Sequence, residues 1–572
     1  MADELDEDEN NEITLETMCK RITELIKTSG TCLSLASLDS ELHEISEDLF
    51  SPFSDTDLAI IQELEVDFND FDSLPGNLGR LKGLLKLSAE GNKFVTLPSS
   101  VGDLVSLKEL RVDENQIREL PSSFSHLRSL RVLSLVGNDL RCLAAEVVEG
   151  LPLLEGLYLD ENKLLSLPEN FGVLKSLQIL ELSENKLTSL PESFGELDQL
   201  RVLNLNRNSL SELPGTFGEL SRLINVDLSN NNISVLPEKF QSAAIIEHLY
   251  LDDNIIGTLP EWSGCLSKII NLSFNDNKLQ GCPLSESFPE SSKTTLKKLE
   301  AGGNSMSNLP EYFGDLVSLE ELHLGSTICE LERRNFQNGN WIKQLPQSFG
   351  QLKALRRLHL DENQLVALPD SFGCLTHLTW LDLGQNLLSC LPDSFCDLQL
   401  LEYCQLSKNR LVCLPLNFGE LKKLVDLRLD QNLLEELPSS CSNLQALNTL
   451  DLFDNKIKEI PHWLSKLSSL KRLDLDHNNL NLKLKDVPHL VSKGSEYASR
   501  DPNLKDNWRG KFRADKIKAE VVVIPGDGTN IDDEEECKPA VYSENVLSAA
   551  MRRGLSIWRT HSGKRNQIYF LF

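Results

Sequence analysis

The sequence predicts an α/β solenoid, a horseshoe of about 19 short repeats whose strands form one concave parallel β-sheet. Three observations predict it. An Asn recurs in a nearly constant step of 23 residues, from Asn69 through Asn92, Asn115 and Asn138 to Asn478. Most of these Asn residues end an LxLxxN-like segment, as in LEL of Leu180–Leu182 before Asn185. Most are followed by LxxLPxxFGxL or a close variant, as in LTSLPESFGEL of Leu187–Leu197.

Each position has a physical task. Alternating Leu and polar residues describe a short strand with one buried face. The Asn stands where the chain leaves the strand, and its side-chain amide can satisfy backbone groups of that turn and the next. Pro fixes the returning backbone without needing a donor. Phe171, Phe194 and Phe217 fill the wider outer core, and Gly172, Gly195 and Gly218 are expected to permit the bend. A single repeat cannot bury its Leu face, so stacking is obligatory. At about 4.8 Å per strand, the stack is roughly 90 Å long.

The organisation follows from the ends of this register. Residues 1–12 read as an acidic disordered start, and 13–30 as an amphipathic capping helix with Met18, Ile22, Leu25 and Ile26 on one side. The solenoid covers 31–480, and 481–508 should cap its far end. Residues 509–572 read as a mostly flexible tail, with a basic amphipathic helix at 542–561. Within the solenoid, Thr327 holds the phase of an Asn, a loss expected to cost local order. About 13 residues are inserted between Thr327 and Leu345.

Composition narrows the function. The chain has 572 residues and a formal net charge of −30, which argues against a general nucleic-acid binder and favours basic protein patches as partners. The 13 cysteines are scattered without a CxxC pair, as expected of reduced, buried or half-buried thiols. The opening MADELDEDENNE lacks the apolar core of a secretory signal, and no stretch approaches the ~18 apolar residues of a membrane span. A cytoplasmic protein is the expectation, with membrane contact peripheral at most. No Walker loop, GxGxxG, HExxH or GxSxG occurs, so neither an enzyme nor a cofactor or metal is expected.

The segments LPESFGELDQLRVLNLNRNSL (Leu190–Leu210) and LPDSFGCLTHLTWLDLGQNLL (Leu368–Leu388) carry a resemblance. They are similar to the Ras-group intracellular leucine-rich-repeat proteins, a group that includes Scribble, Erbin, the Shoc scaffolds and plant Ras-group proteins. The resemblance spans roughly residues 30–480. It implies a non-catalytic protein–protein interaction scaffold in intracellular signal transduction, around small GTPases and kinases. The alternatives are a structural component of a cytoskeletal or ciliary assembly, or an enzyme with a small catalytic tail.

Candidate partner-binding residues come from the exposed strand positions. Two residues before the Asn lie Asp160, Asp252, Asp361 and Asp430; four before lie Tyr158, Tyr250, His359 and Asp382; six before lie Trp380 and Tyr403. The inserted loop adds Arg333, Arg334 and Trp341 on the expected rim of the concave face. The acidic positions read equally well as the solvated edge of a sheet.

Overall fold

The computed structural model describes residues 4–37, 45, 49–238, 244–280, 292–327, 338–480, 556–559 and 568–571. Nineteen three-residue strands, from Cys32–Ser34 to Arg472–Asp474, form one parallel sheet in which each strand pairs with its neighbours in chain order. The sheet is open. Its register is set by one column of central residues, Leu33↔Leu64↔Leu87 at one end and Leu427↔Leu450↔Leu473 at the other. Every central residue is buried, including Cys404, which stands where the other rungs carry Leu or Val. Most return segments hold one 3₁₀ turn after the Pro, such as Glu192–Glu196 after Pro191.

Three ladders hold the rungs in step. The first is polar. Asn185 donates through Nδ2 to the carbonyls of Leu159 at 2.8 Å and Leu182 at 3.2 Å, while its Oδ1 accepts from the Leu164 amide at 3.0 Å. One buried side chain thus satisfies groups on two repeats, and the pattern recurs along the stack. The second ladder is aromatic. Phe171, Phe194 and Phe217 stack with centroids 6.1–6.2 Å apart, and Phe313, Phe349, Phe372, Phe395 and Phe418 continue the column at 6.1–6.4 Å. The third is the Leu column itself.

The inserted stretch corrects the Thr327 reading. Asn340, not Thr327, holds the ladder there: its Nδ2 donates to the Ala301 and Leu324 carbonyls at 2.8 and 3.0 Å, and its Oδ1 accepts from the Met306 amide at 3.0 Å. The excursion therefore sits between the strand and its Asn. Segment Asn340-Trp-Ile-Lys-Gln-Leu-Pro346 is an ordinary repeat continuation. Trp341 accordingly belongs to the regular flank, where it is exposed, rather than to the loop.

The bend reading of the glycines also changes. In most turns a left-handed residue directly precedes the Asn and is usually not Gly: Glu184 and Gln385 have φ of 52° and 55°. Gly195 is required by close approach instead, since a Cβ there would lie 2.3 Å from the Thr216 carbonyl oxygen. The thiols differ from expectation too. Cys142, Cys390 and Cys413 share an exposed flank position, and Cys265 and Cys374 are also exposed.

At the N-terminal end the helix runs Glu4–Thr28, so the acidic stretch expected to be disordered is helical from Glu4. Acidic side chains suit a helix N-terminus, whose partial positive charge they offset. Met18 and Ile22 are buried, and the helix packs on the first strand. It stops at Ser29, whose φ of 55° takes the left-handed region. In the tail, Ser556–Arg559 pairs antiparallel with Ile568–Leu571. The helix expected over 542–561 thus gives way to strand at 556–559, where Ile557 and Trp558 suit an extended chain. The expected cap at 481–508 lies outside the described residues.

Candidate protein-binding surface

The concave face is built by the first and third residue of each strand, which flank the buried central one and point away from the core. This places Tyr158, Tyr250, His359, Asp382, Trp380 and Tyr403 on one face. The carboxylates two residues before the Asn lie just beyond the strand ends. They form a second row, half-buried at Asp160 and Asp252 and fully buried at Asp361 and Asp430.

That second row is bound into the scaffold. Asp160 Oδ1 accepts from both the amide and the hydroxyl of Ser183, at 2.8 and 2.6 Å. Asp252 accepts from the Ser273 hydroxyl and from the Asn275 amide at 2.6 Å. Asp67 and Asp113 do the same with Ser88 and Ser134. These carboxylates tie each rung to the next, a structural duty that goes beyond both sequence expectations, partner contact and the solvated edge of a sheet.

Around them lies an acidic trough that the candidate set missed in part. Glu181, Asp227 and Glu300 occupy the same strand position as Tyr158 and Tyr250. The signal was present, four residues before Asn185, Asn231 and Asn304. Burial pushes the Glu181 carboxyl up to about 7, with the charges of Asp160 and Asp227 adding to the shift. Burial likewise raises Asp252 to about 6, against the lowering bonds from Ser273 and Asn275, with Glu300 and Asp227 repelling further. Asp113 and Asp160 are raised by the same cause. Tyr158 and Tyr250 lie four strands apart, about 19 Å at sheet spacing, and bracket Glu181 and Asp227, with Glu300 two strands beyond Tyr250.

Further along, side chains form a continuous stack across adjacent rungs. His323 and His359 meet edge-on with centroids 5.1 Å apart; His359 and Trp380 are 6.3 Å apart; Trp380 and Tyr403 stack at 3.7 Å. Arg428 lies over Tyr403 at 5.3 Å and pairs with Asp426 at 3.2 Å. This mutual packing buries Tyr403 and Arg428. Asp361, Tyr403 and Asp430 are therefore not presented openly as the sequence reading expected, whereas His359, Trp380 and Asp382 remain half-buried. Arg333 and Arg334 lie outside the described residues.

Models of leucine-rich-repeat families match the chain twice: a leucine-rich repeat region at 368–487, and the leucine rich repeat at 91–140, 106–164 and 152–210. Solved structures agree. An LRR protein of Leptospira interrogans is 28% identical, with 78% of this chain and 97% of that chain covered and a TM-score of 0.52. The chain is a leucine-rich-repeat solenoid. The Arabidopsis receptor kinase HAESA, solved in complex with the peptide hormone IDA and the co-receptor SERK1, is 25% identical over 81% of each chain, with a TM-score of 0.57. YopM from Yersinia enterocolitica shares the fold at 24% identity, with 80% and 94% covered and a TM-score of 0.50. No curated protein matches the chain. Leucine-rich-repeat proteins generally mediate protein–protein interaction, and this solenoid's open sheet has the shape for it. Among the described residues no helix is long and apolar enough to cross a membrane.

Proposed function

We propose that this solenoid is a non-catalytic scaffold that holds a basic protein surface in the trough between Tyr158 and Tyr250. The observation that supports it is the state of the acids there. Glu181 and Asp252 are raised to about 7 and about 6 by burial, with repulsion from neighbouring carboxylates adding to it, yet the residues remain partly open to solvent. A row of like charges kept close at an energetic cost gains when an opposite charge arrives. The two tyrosines supply aromatic anchors, a residue type favoured in binding hot spots.

The wider setting rests on the Ras-group resemblance: a cytoplasmic scaffold in signal transduction, with small GTPases or kinases among its partners. Capture with the full chain tests both levels. Wild type should retain cytosolic proteins with basic patches, and a variant carrying Asp160→Lys, Glu181→Lys and Asp252→Lys should lose them. Retention of every partner by the reversed variant would sink the trough reading. For the pathway, a bound GTPase should be held in a nucleotide-dependent way; equal capture of its GTP- and GDP-loaded forms counts against that assignment.

A further inference from the structure

We propose that His323, His359 and Asp361 form a binding site for a divalent transition-metal ion of the zinc class, at the junction of the thirteenth and fourteenth repeats. Strands Glu321–His323 and Arg357–His359 pair in parallel with His323 directly opposite His359. Both imidazoles leave the same face, beside the buried Leu322 and Leu358. Asp361 follows two residues after His359. One ligand atom from each of the three lies within 4.8 Å of the others. Zinc holds nitrogen and oxygen ligands at about 2.0–2.2 Å, so its donors sit roughly 3–3.5 Å apart. From an upper limit of 4.8 Å, reaching that spacing brings two donors together by at most about 1.8 Å, within the reach of side-chain rotation.

A second observation concerns the direction of Asp361. Asp67, Asp113, Asp160 and Asp252 reach forward to the next repeat. Asp361, like Asp430 with the Ser407 hydroxyl, instead faces the preceding repeat, where the Ser326 amide lies 3.4 Å from its Oδ2. That turn brings the carboxylate to the histidine pair, and it is only 1% exposed. The Ser326 carbonyl lies 3.2 Å from His323 Nε2. It accepts a hydrogen bond from the ring N–H and orients the ring, the arrangement by which an outer group fixes the tautomer of a ligating imidazole. Asp382 stands opposite His359 in the next strand, and Asp276 also interacts with His323, so the surroundings favour a cation.

Imidazole ligands select zinc-like ions over magnesium or calcium, which take oxygen. Three protein ligands leave at least one coordination position open, for water or a side chain of a bound protein. A bound ion would clip two rungs together beside the excursion that separates Thr327 from Asn340, adding its binding energy to the fold. The other grouping, Cys32 with Glu63 and Glu65, lacks a buried ligand.

The test uses the full chain, stripped with chelator and titrated with zinc by calorimetry and with cobalt(II) by visible spectroscopy. The expected result is one saturable ion per chain, with a cobalt ligand-field spectrum of nitrogen and oxygen ligands. His323→Ala and Asp361→Asn should each weaken binding about tenfold or more. His377→Ala, at an exposed flank histidine, should leave it unchanged. Zinc should raise the melting temperature of wild type and not of a His323→Ala/His359→Ala variant whose circular dichroism matches wild type. No saturable binding by wild type overturns the proposal. So does undiminished binding by the double variant, or a thiolate charge-transfer band in the cobalt spectrum.

Discussion

Asn185 shows how much one side chain can carry in this fold. It satisfies the Leu159 and Leu182 carbonyls and the Leu164 amide at once, all within the core. Asn185→Ala removes the shared partner and leaves those groups unpaired, at a cost of about 1–3 kcal/mol. Long repeat arrays depart from two-state unfolding. The check is therefore local: hydrogen exchange at the Leu164 amide should accelerate, and protection equal to wild type would contradict the ladder. Asn340→Ala should behave alike at the Met306 amide, while Thr327→Ala should leave that amide protected. The contrast bears on what was legible. The step of 23 residues placed the Asn at 327, but the excursion lies between that position and the true ladder residue, Asn340, and the NxIxxLP continuation was the signal that relocates the ladder. Counting from the last Asn misleads when a loop leaves before the turn rather than after it.

The unit of packing at the next scale is the 3₁₀ turn laid on its neighbour. The Glu192–Glu196 turn rests on Gly215–Glu219, and Gly195 lets the backbones touch. Gly195→Ala would drive a Cβ against the Thr216 carbonyl, a contact with no flexible side chain to yield. A loss of at least about 2 kcal/mol is expected. Gly215→Ala is the control, since nothing lies within 4 Å of its added Cβ. Restricting the unfolded chain there should be neutral or stabilising by about 0.4–1 kcal/mol. Urea melts of the two variants should move in opposite directions or differ clearly in size; equal losses would mean that close approach is not what selects Gly. The periodic pattern marked both glycines without distinguishing these reasons, because one depends on where the next turn lies in space. The same holds for Cys142, Cys390 and Cys413, whose position in the motif looked internal and whose side chains face outward along the flank.

Across the whole molecule, the net charge of −30 is not spread evenly over solvent. Part of it is pressed together along the concave face. Glu181 and Asp252 are raised in the folded state above their ordinary values of 4.5 and 3.8. The native state then binds protons more readily than the unfolded chain between those values and about 7. Stability from this source is fully present below the unfolded values and is lost as pH rises through about 6 to 7. The denaturation midpoint should rise as pH falls from 8 to 5.5, and a Glu181→Gln/Asp252→Asn variant should flatten that slope. A midpoint that drops over this range would show that the acids are not strained. Affinity for a basic partner should move the other way, weakening with acid as the same carboxyls lose charge.

The sequence by itself determined the architecture. A register of Leu, Asn, Pro and Phe at fixed steps cannot bury its apolar face except by stacking, so strand order, sheet direction and the placement of Tyr158, Tyr250 and Trp380 on one face all follow from it. Only the tertiary structure decided which surface residues are open and which are occupied. Asp160 and Asp252 tie rungs together, Tyr403 is buried beneath Trp380 and Arg428, and Asp361 turns back toward two histidines. Those outcomes depend on contacts between side chains of neighbouring repeats. Periodicity sets the distance between such side chains, whereas rotamer choice and mutual packing set what they touch.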